Sequence, residues 1–172
     1  TQGVSSAASD VYKRQGYMYR KILVAYNGTP ESRSALQECV RLAPTPATEV
    51  HLLVVVSPPQ SVVIGEYAMV SMLGVEEEIA VERQKMEDEL KIGLNHLRDA
   101  GLNVQAHLEV GEPVPMISDL VDKLGIELVI VGHSRQQSLA MRWWRGSTDA
   151  LLVEKIRCSL LVASDPDEKK AV

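Results

Sequence analysis

The residues best suited to chemistry in this chain form an interrupted cradle. Gly132-His133-Ser134-Arg135 follows the hydrophobic run 126–131, and ten residues separate Arg135 from Gly146-Ser147-Thr148, ahead of an apolar helical stretch. A buried strand, a small-residue loop and a hydroxyl-rich helix start are the parts of an anion site. N–H groups at a helix N-terminus favour negative charge, and glycine lets a phosphate come close. Arg135 and the bulky segment Met141-Arg142-Trp143-Trp144-Arg145 stand where an ideal cradle is smaller.

Other chemically capable residues lack the necessary neighbours. His133 has no Asp or Glu beside it in sequence, so it makes a poor base or ligand. His51, His96 and His107 are scattered without metal-ligand spacing. Glu76-Glu77-Glu78 reads as a solvated helix face. Cys39 and Cys158 fall within apolar segments and belong to no Cys-x-x-Cys pair, which fits two reduced core thiols in a cytosolic protein.

Composition bounds what these residues serve. The 172 residues suffice for one domain, 45% hydrophobic and 24% charged. A net charge of −5 argues against a general nucleic-acid binder, which needs a basic patch. No apolar run approaches the ~20 residues that span a bilayer. Residues 1–18 show no sustained apolar period and no secretory h-region, and read as a disordered tail or as sequence upstream of a start at Met18. The folded domain is expected over 19–164, with a polar tail over 165–172.

Strand-like and helix-like patterns alternate from Tyr19 onward. Ile22 to Tyr26 is a short apolar run, followed by Thr29-Pro30, a hydroxyl N-cap with proline at the first helical position. Ala35, Leu36, Cys39, Val40 and Ala43 share a helical face that Pro44 and Pro46 end. Val50 to Val56 is a second strand. Residues 58–73 read as a long connection packed as a flap. An amphipathic helix is expected from about 75 to 99, with the stripe Val75, Ile79, Met86, Leu90, Leu94 and Leu97, a Glu87–Lys91 pair, and Glu76–Glu78 in its first turn. Val104 to Val110 reads as a strand alternating at Val104, Ala106 and Leu108. A helix follows Gly111-Glu112-Pro113, carries Met116, Ile117, Leu120, Val121 and Leu124, and is capped by Gly125. A strand over 126–131, a helix over about 147–156 and a last strand, Ser159 to Ala163, complete the series. Five strands and four helices in strict alternation predict an α/β fold, a parallel sheet with helices on both faces. Ligands of such sheets sit beyond the strand carboxyl ends where strand order reverses. The small polar residues Asn27-Gly28-Thr29 and Gly132-His133-Ser134 lie at two such ends.

Taken together these residues resemble the universal stress protein family over about 20 to 163. The resemblance rests on Lys21-Ile22-Leu23-Val24-Ala25 before a small polar loop, Val50-His51-Leu52-Leu53-Val54-Val55-Val56, Gly111-Glu112-Pro113 with Ile117 behind it, Glu127 to Ser134, Gly146-Ser147, and Cys158-Ser159-Leu160-Leu161-Val162. No one of these is specific; their order and spacing are. The resemblance implies a Rossmann-like fold of the adenine nucleotide alpha hydrolase type, sheet order 3-2-1-4-5. It also implies a homodimer paired through the last strand, Ser159 to Ala163, which resolves an exposed edge.

One branch of the family binds ATP or AMP through Gly, two residues, Gly, nine residues, Gly, then Ser or Thr. Here Arg135 replaces the middle glycine and the spacing to Gly146 is ten. Asn27 stands where nucleotide binders usually carry Asp, which makes a metal held there doubtful. By resemblance, adenine lies near Ala25, Tyr26, Asn27 and Val55, with Val131 ahead of the phosphate loop. The phosphates would meet the N–H groups of Gly132, Ser134, Arg135, Gly146, Ser147 and Thr148. Arg135 has two readings: a cation reaching a phosphate in place of the lost glycine, or a side chain filling the cradle. Trp143-Trp144 with Arg142 and Arg145 either pack the loop on the domain or its dimer partner, stack on a base or clamp a phosphate, or form a patch for a protein partner. The expected function is a cytoplasmic, homodimeric, adenine-nucleotide-binding regulatory module with at most slow ATP hydrolysis. The alternative is a nucleotide-free dimerisation and interaction module of the same fold. Adenine-binding enzymes of related fold carry Ser-Gly-Gly after the first strand or His-x-x-His, and neither is present.

Overall fold

A computed structural model of the chain describes residues 19–42, 45–57, 68–133 and 152–164, with the backbone alone described for 68–73 and 75. The strands are β1 (Lys21–Ala25), β2 (Glu49–Val56), β3 (Asn103–Val110), β4 (Leu128–His133) and β5 (Ser159–Ser164). All neighbours pair in parallel, in the order β3-β2-β1-β4-β5. The helices are α1 (Pro30–Arg41), α2 (Ala68–Asp99) and α3 (Pro113–Leu124), and residues 152–155 are also helical.

Strand alternation sorts the core into two layers. Ile22, Val24 and Tyr26 of the β1 end, with Val50, Leu52 and Val54, face α1 and α2 through Ala35, Leu36, Cys39, Met86 and Leu97. Leu23, Ala25, Leu53, Val55, Val129 and Val131 face the other way, onto Ile117, Leu120, Val121, Leu152 and Ile156. Each fully buried Val, Leu or Ile contributes about 1.5–3 kcal/mol relative to exposure, so these two layers hold the sheet. Burial also pushes the Cys39 thiol up to about 12, which keeps it protonated and inert.

Local signals set the helix ends. Thr29 is the N-cap of α1, its hydroxyl accepting from the Ser32 N–H at 3.4 Å, and Pro30 opens the helix. Glu112 is the N-cap residue of α3 and Gly125 closes that helix at φ 66°.

Four expectations are corrected. First, α2 starts at Ala68, so residues 68–73 are helix rather than connection, and Glu76–Glu78 lie well past its first turn. Second, Glu87 pairs with Arg83 Nε at 3.1 Å, one turn N-terminal, while Lys91 lies 3.7 Å from Asp88. Third, β4 begins two residues later than its hydrophobic run and continues through Gly132 and His133, because β5 keeps pairing it as far as His133–Ser164. Fourth, Ala106 is exposed although it alternates with Val104 and Leu108, because β3 lies at the edge of the sheet. The expected positions 1–18, Ala43, Pro44, 58–67, 134–151 and 165–172 lie outside the described residues.

The length of α2 matters for the carboxyl edge of the sheet. Its 32 residues make a helix of about 48 Å, against about 26 Å for the eight-residue β2. Its buried positions run from Met86 to Leu97, whereas Val81 is 70% exposed, so the first half projects beyond the strands. Among the described residues, no helix is long and apolar enough to cross a membrane. Leu52→Ala is expected to destabilise the protein by about 2–5 kcal/mol. Val81→Ala, on the projecting half, should stay within about 0.5 kcal/mol of wild type; urea unfolding of both variants checks the contrast.

Candidate functional site

Strand order reverses between β1 and β4, whose carboxyl ends lie side by side and feed connections in opposite directions. A parallel sheet leaves a crevice at such a point. The β1 side of it is held by short polar bonds. Asn27 Oδ1 accepts from the Thr29 N–H at 3.2 Å and the Thr29 hydroxyl at 2.7 Å, while the Ser32 hydroxyl donates to Thr29 O at 2.9 Å. Among the described residues no acceptor meets the Asn27 Nδ2, which leaves that amide able to donate to a ligand.

The β4 side reaches this loop through Gly132. A Cβ added there would overlap the Glu31 carbonyl and come within 2.7 Å of the Ser32 nitrogen. Glycine at this position is therefore required by the first turn of α1, whatever else the loop binds. The same turn carries a buried Glu31 carboxylate whose Oε1 has no hydrogen-bond partner among the described residues.

The adenine-side candidates separate onto two faces. Ala25, Val55 and Val131 are buried in the layer beneath α3. Tyr26 is buried in the opposite layer, so its ring does not share a face with Val55. Val55 instead offers its backbone. The β1 ladder ends at the Ala25–Leu53 pair, closed by the Tyr26 N–H donating to Leu53 O at 2.9 Å. Peptide groups alternate sides along a parallel strand, so those of Val55 point, like those of Leu53, toward β1, which has ended by then. A donor and an acceptor thus stand side by side beyond the end of β1, in a residue that is itself buried. Gly132 lies at the end of β4 facing the first turn of α1. Ser134, Arg135, Gly146, Ser147 and Thr148 lie outside the described residues.

Sequence reasoning missed Glu89. Its carboxylate accepts from the Tyr26 hydroxyl at 2.9 Å and sits over Gly28, where an added Cβ would lie 2.6 and 2.8 Å from its two oxygens. Gly28 has φ +82°, so the turn demands glycine, whereas the Glu89 carboxylate is the far end of a flexible side chain and can shift. One turn further along α2, Gly93 lets the helix rest on the Tyr26 ring. Burial raises the Tyr26 pKa, Glu89 raises it further, and Arg33 opposes both. In the linear pattern Glu89 is one more acid on a polar helix face; the only signal was a tyrosine, with a hydroxyl to satisfy, at the end of a buried strand.

A separate cleft of about 650 Å³ lies between Ser57 and the projecting half of α2, at Gly74, Glu77, Glu78, Val81 and Glu82. Its three carboxylates repel phosphate, so the β1–β4 crevice is the better anion site. Among the described residues no group of three or more His, Cys, Asp or Glu could hold a metal ion.

Residues 18–164 match the universal stress protein family. A curated relative, universal stress protein Sll1388 of Synechocystis, is 23% identical over 150 residues, covering 84% of this chain and 97% of its own. The solved structure of hypothetical protein MJ0577 superposes with a TM-score of 0.70 at 20% identity, covering 88% of this chain and 99% of that one. A universal stress protein family protein from Arabidopsis thaliana, solved with AMP bound, gives a TM-score of 0.59 at 16% identity, covering 86% and 92%. These structures share the fold of this chain.

Gly132→Ala is expected to destabilise the protein by at least about 1–3 kcal/mol by overpacking backbone on backbone, read by denaturant melts without any ligand. Tyr26→Phe should cost about 0.5–1.5 kcal/mol, and much less in a Glu89→Ala background; a double-mutant cycle with equal costs in both backgrounds would show that the pair does not interact.

Proposed function

This chain belongs to the universal stress protein family, and from that premise we propose that it is a cytoplasmic, homodimeric regulatory module that binds an adenine nucleotide, ATP or AMP. One observation carries the reading: the Val55 peptide groups, the Asn27 amide and the Gly132 end of β4 lie around one crevice at the reversal of strand order. An adenine edge needs a paired donor and acceptor, which Val55 offers through its backbone. Asn27 Nδ2 donates to a ribose oxygen. The phosphates run toward Gly132 and the N–H groups of Ser134, Arg135, Gly146, Ser147 and Thr148, where Arg135 supplies a cation. Asn27 is neutral and gives no charge with which to hold Mg²⁺, so binding does not depend on a metal at this position. Any hydrolysis is slow, since the sequence offers no obvious general base.

Dimerisation through β5 fits its place at the sheet edge, where Val162 is 45% exposed. Light scattering on the eluted protein should then report twice the 18.9 kDa chain mass.

A second reading, a nucleotide-free interaction module, is favoured by the Tyr26 and Asn27 side chains already being engaged within the domain. It is favoured also by Arg135 in the place of a glycine. Thermal melts with millimolar ATP or AMP, with and without Mg²⁺, separate the two readings. A ligand at about 100 times its Kd adds about 2.7 kcal/mol, which raises the midpoint by several degrees in a domain of this size. The rise should occur without Mg²⁺, and Gly146→Asp should abolish it while leaving the ligand-free midpoint unchanged. No rise with either nucleotide would overturn the nucleotide reading.

A further inference from the structure

Two histidines meet where β2 pairs with β3, His51 buried and His107 half-buried. His51 of β2 is fully buried, and its Nδ1 lies 2.9 Å from Nε2 of His107 on β3. The rings are 5.1 Å apart at 31°. The register places His51 opposite Gln105, so His107 is its diagonal neighbour on the same face. His51 Nε2 lies 2.9 Å from Glu49 Oε1, an oxygen that accepts from Gln105 Nε2 at 3.1 Å.

A contact of 2.9 Å between two ring nitrogens holds one proton: one ring donates and the other accepts. A first extra proton can be carried, since the bridge survives and Glu49 faces the outer nitrogen of His51. A second is different. Both inner nitrogens would then carry N–H groups pointing at each other across 2.9 Å, on the fully buried side of His51. The rings must part. β2 is anchored on both sides, by β1 and β3, whereas β3 lies at the sheet's edge and has one neighbour strand among the described residues. We propose that the His51–His107 pair is an acid-operated latch that fastens the edge strand β3 to β2 and releases it when the pair takes up its second proton. Release bares the N–H and C=O row of β2, an edge open to pairing with another chain.

The charged surroundings set the direction. Glu49 on β2 and Glu109 on β3 favour protonation, while Lys21 on β1 and Lys123 on α3 oppose it. Lys21 bridges the elements, 3.9 Å from Glu49 Oε2 and donating to Leu124 O of α3 at 2.9 Å. Burial is the largest influence on both rings and lowers both values below the ordinary 6.5. A group so lowered adds stability that is complete above about pH 6.5 and is lost as pH falls through its folded value.

Amide hydrogen exchange of the wild type and His107→Gln, corrected for intrinsic rates, tests the latch between about pH 7.5 and about pH 5. Gln keeps an acceptor for His51 and does not titrate. In the wild type the protection of β3 should fall at least about tenfold, since each proton taken up on opening raises the opening constant about tenfold per pH unit. Protection of β1 and β4 should hold, and His107→Gln should keep β3 protected. Unchanged β3 protection in the wild type, or the same acid loss in the variant, would overturn the proposal. If His107→Gln fails to fold, the ¹⁵N shifts of the wild-type imidazoles decide. A bridged pair whose second protonation coincides with β3 release supports the latch; two rings that titrate independently near the ordinary value refute it.

Discussion

The carboxyl edge of this sheet depends on how closely β4 approaches the first turn of α1. Gly132 lies against the Glu31 carbonyl and the Ser32 nitrogen with no room for a side chain. That contact brings the ends of β1 and β4 together and holds the Asn27–Thr29 loop from one side. Glu89 holds it from the other, resting on Gly28 and bonded to Tyr26. The loop is thus clamped between two elements far apart in sequence, and its own Asn27–Thr29 bonds stiffen it further. A loop fixed this way is preorganised, so little ordering is left for a ligand to impose.

The clamp also assigns the tyrosine and the valine to different tasks. Tyr26 faces α2 and ties the strand end to that helix, whereas Val55 leaves its peptide groups beyond the end of β1. This follows from β2 outlasting β1: strands of eight and five residues, paired from the same end, must leave the longer one with unmatched backbone. At the carboxyl ends of the strands, polar groups are left unpaired; between β2 and β3, the buried His51 and the half-buried His107 meet through their inner ring nitrogens.

Much of this was legible in the sequence. Alternation of buried strands with amphipathic helices determined the fold class, since parallel strands covered on both faces read as continuous apolar runs. Thr29-Pro30 and Gly125 marked helix ends because capping depends on residues a few positions apart. The family, and with it the strand order, followed from the order of short motifs. The positions of Asn27 and Gly132 at adjacent strand ends also followed once that order was known.

What only the tertiary structure decided were contacts between residues distant along the chain. The sequence offered Gly132 as a residue that lets a phosphate approach; packing shows that the first turn of α1 requires it first. Glu89 and Tyr26 are 63 positions apart, and His51 and His107 are 56 apart. No local period links either pair. The start of α2 at Ala68 was not legible because residues 68–73 mix apolar and small residues without the regular stripe that marks the later turns. Local patterns encode what each segment buries and where it stops. Which polar groups meet across the core depends on strand register and helix length, and those are settled only when the whole sheet closes.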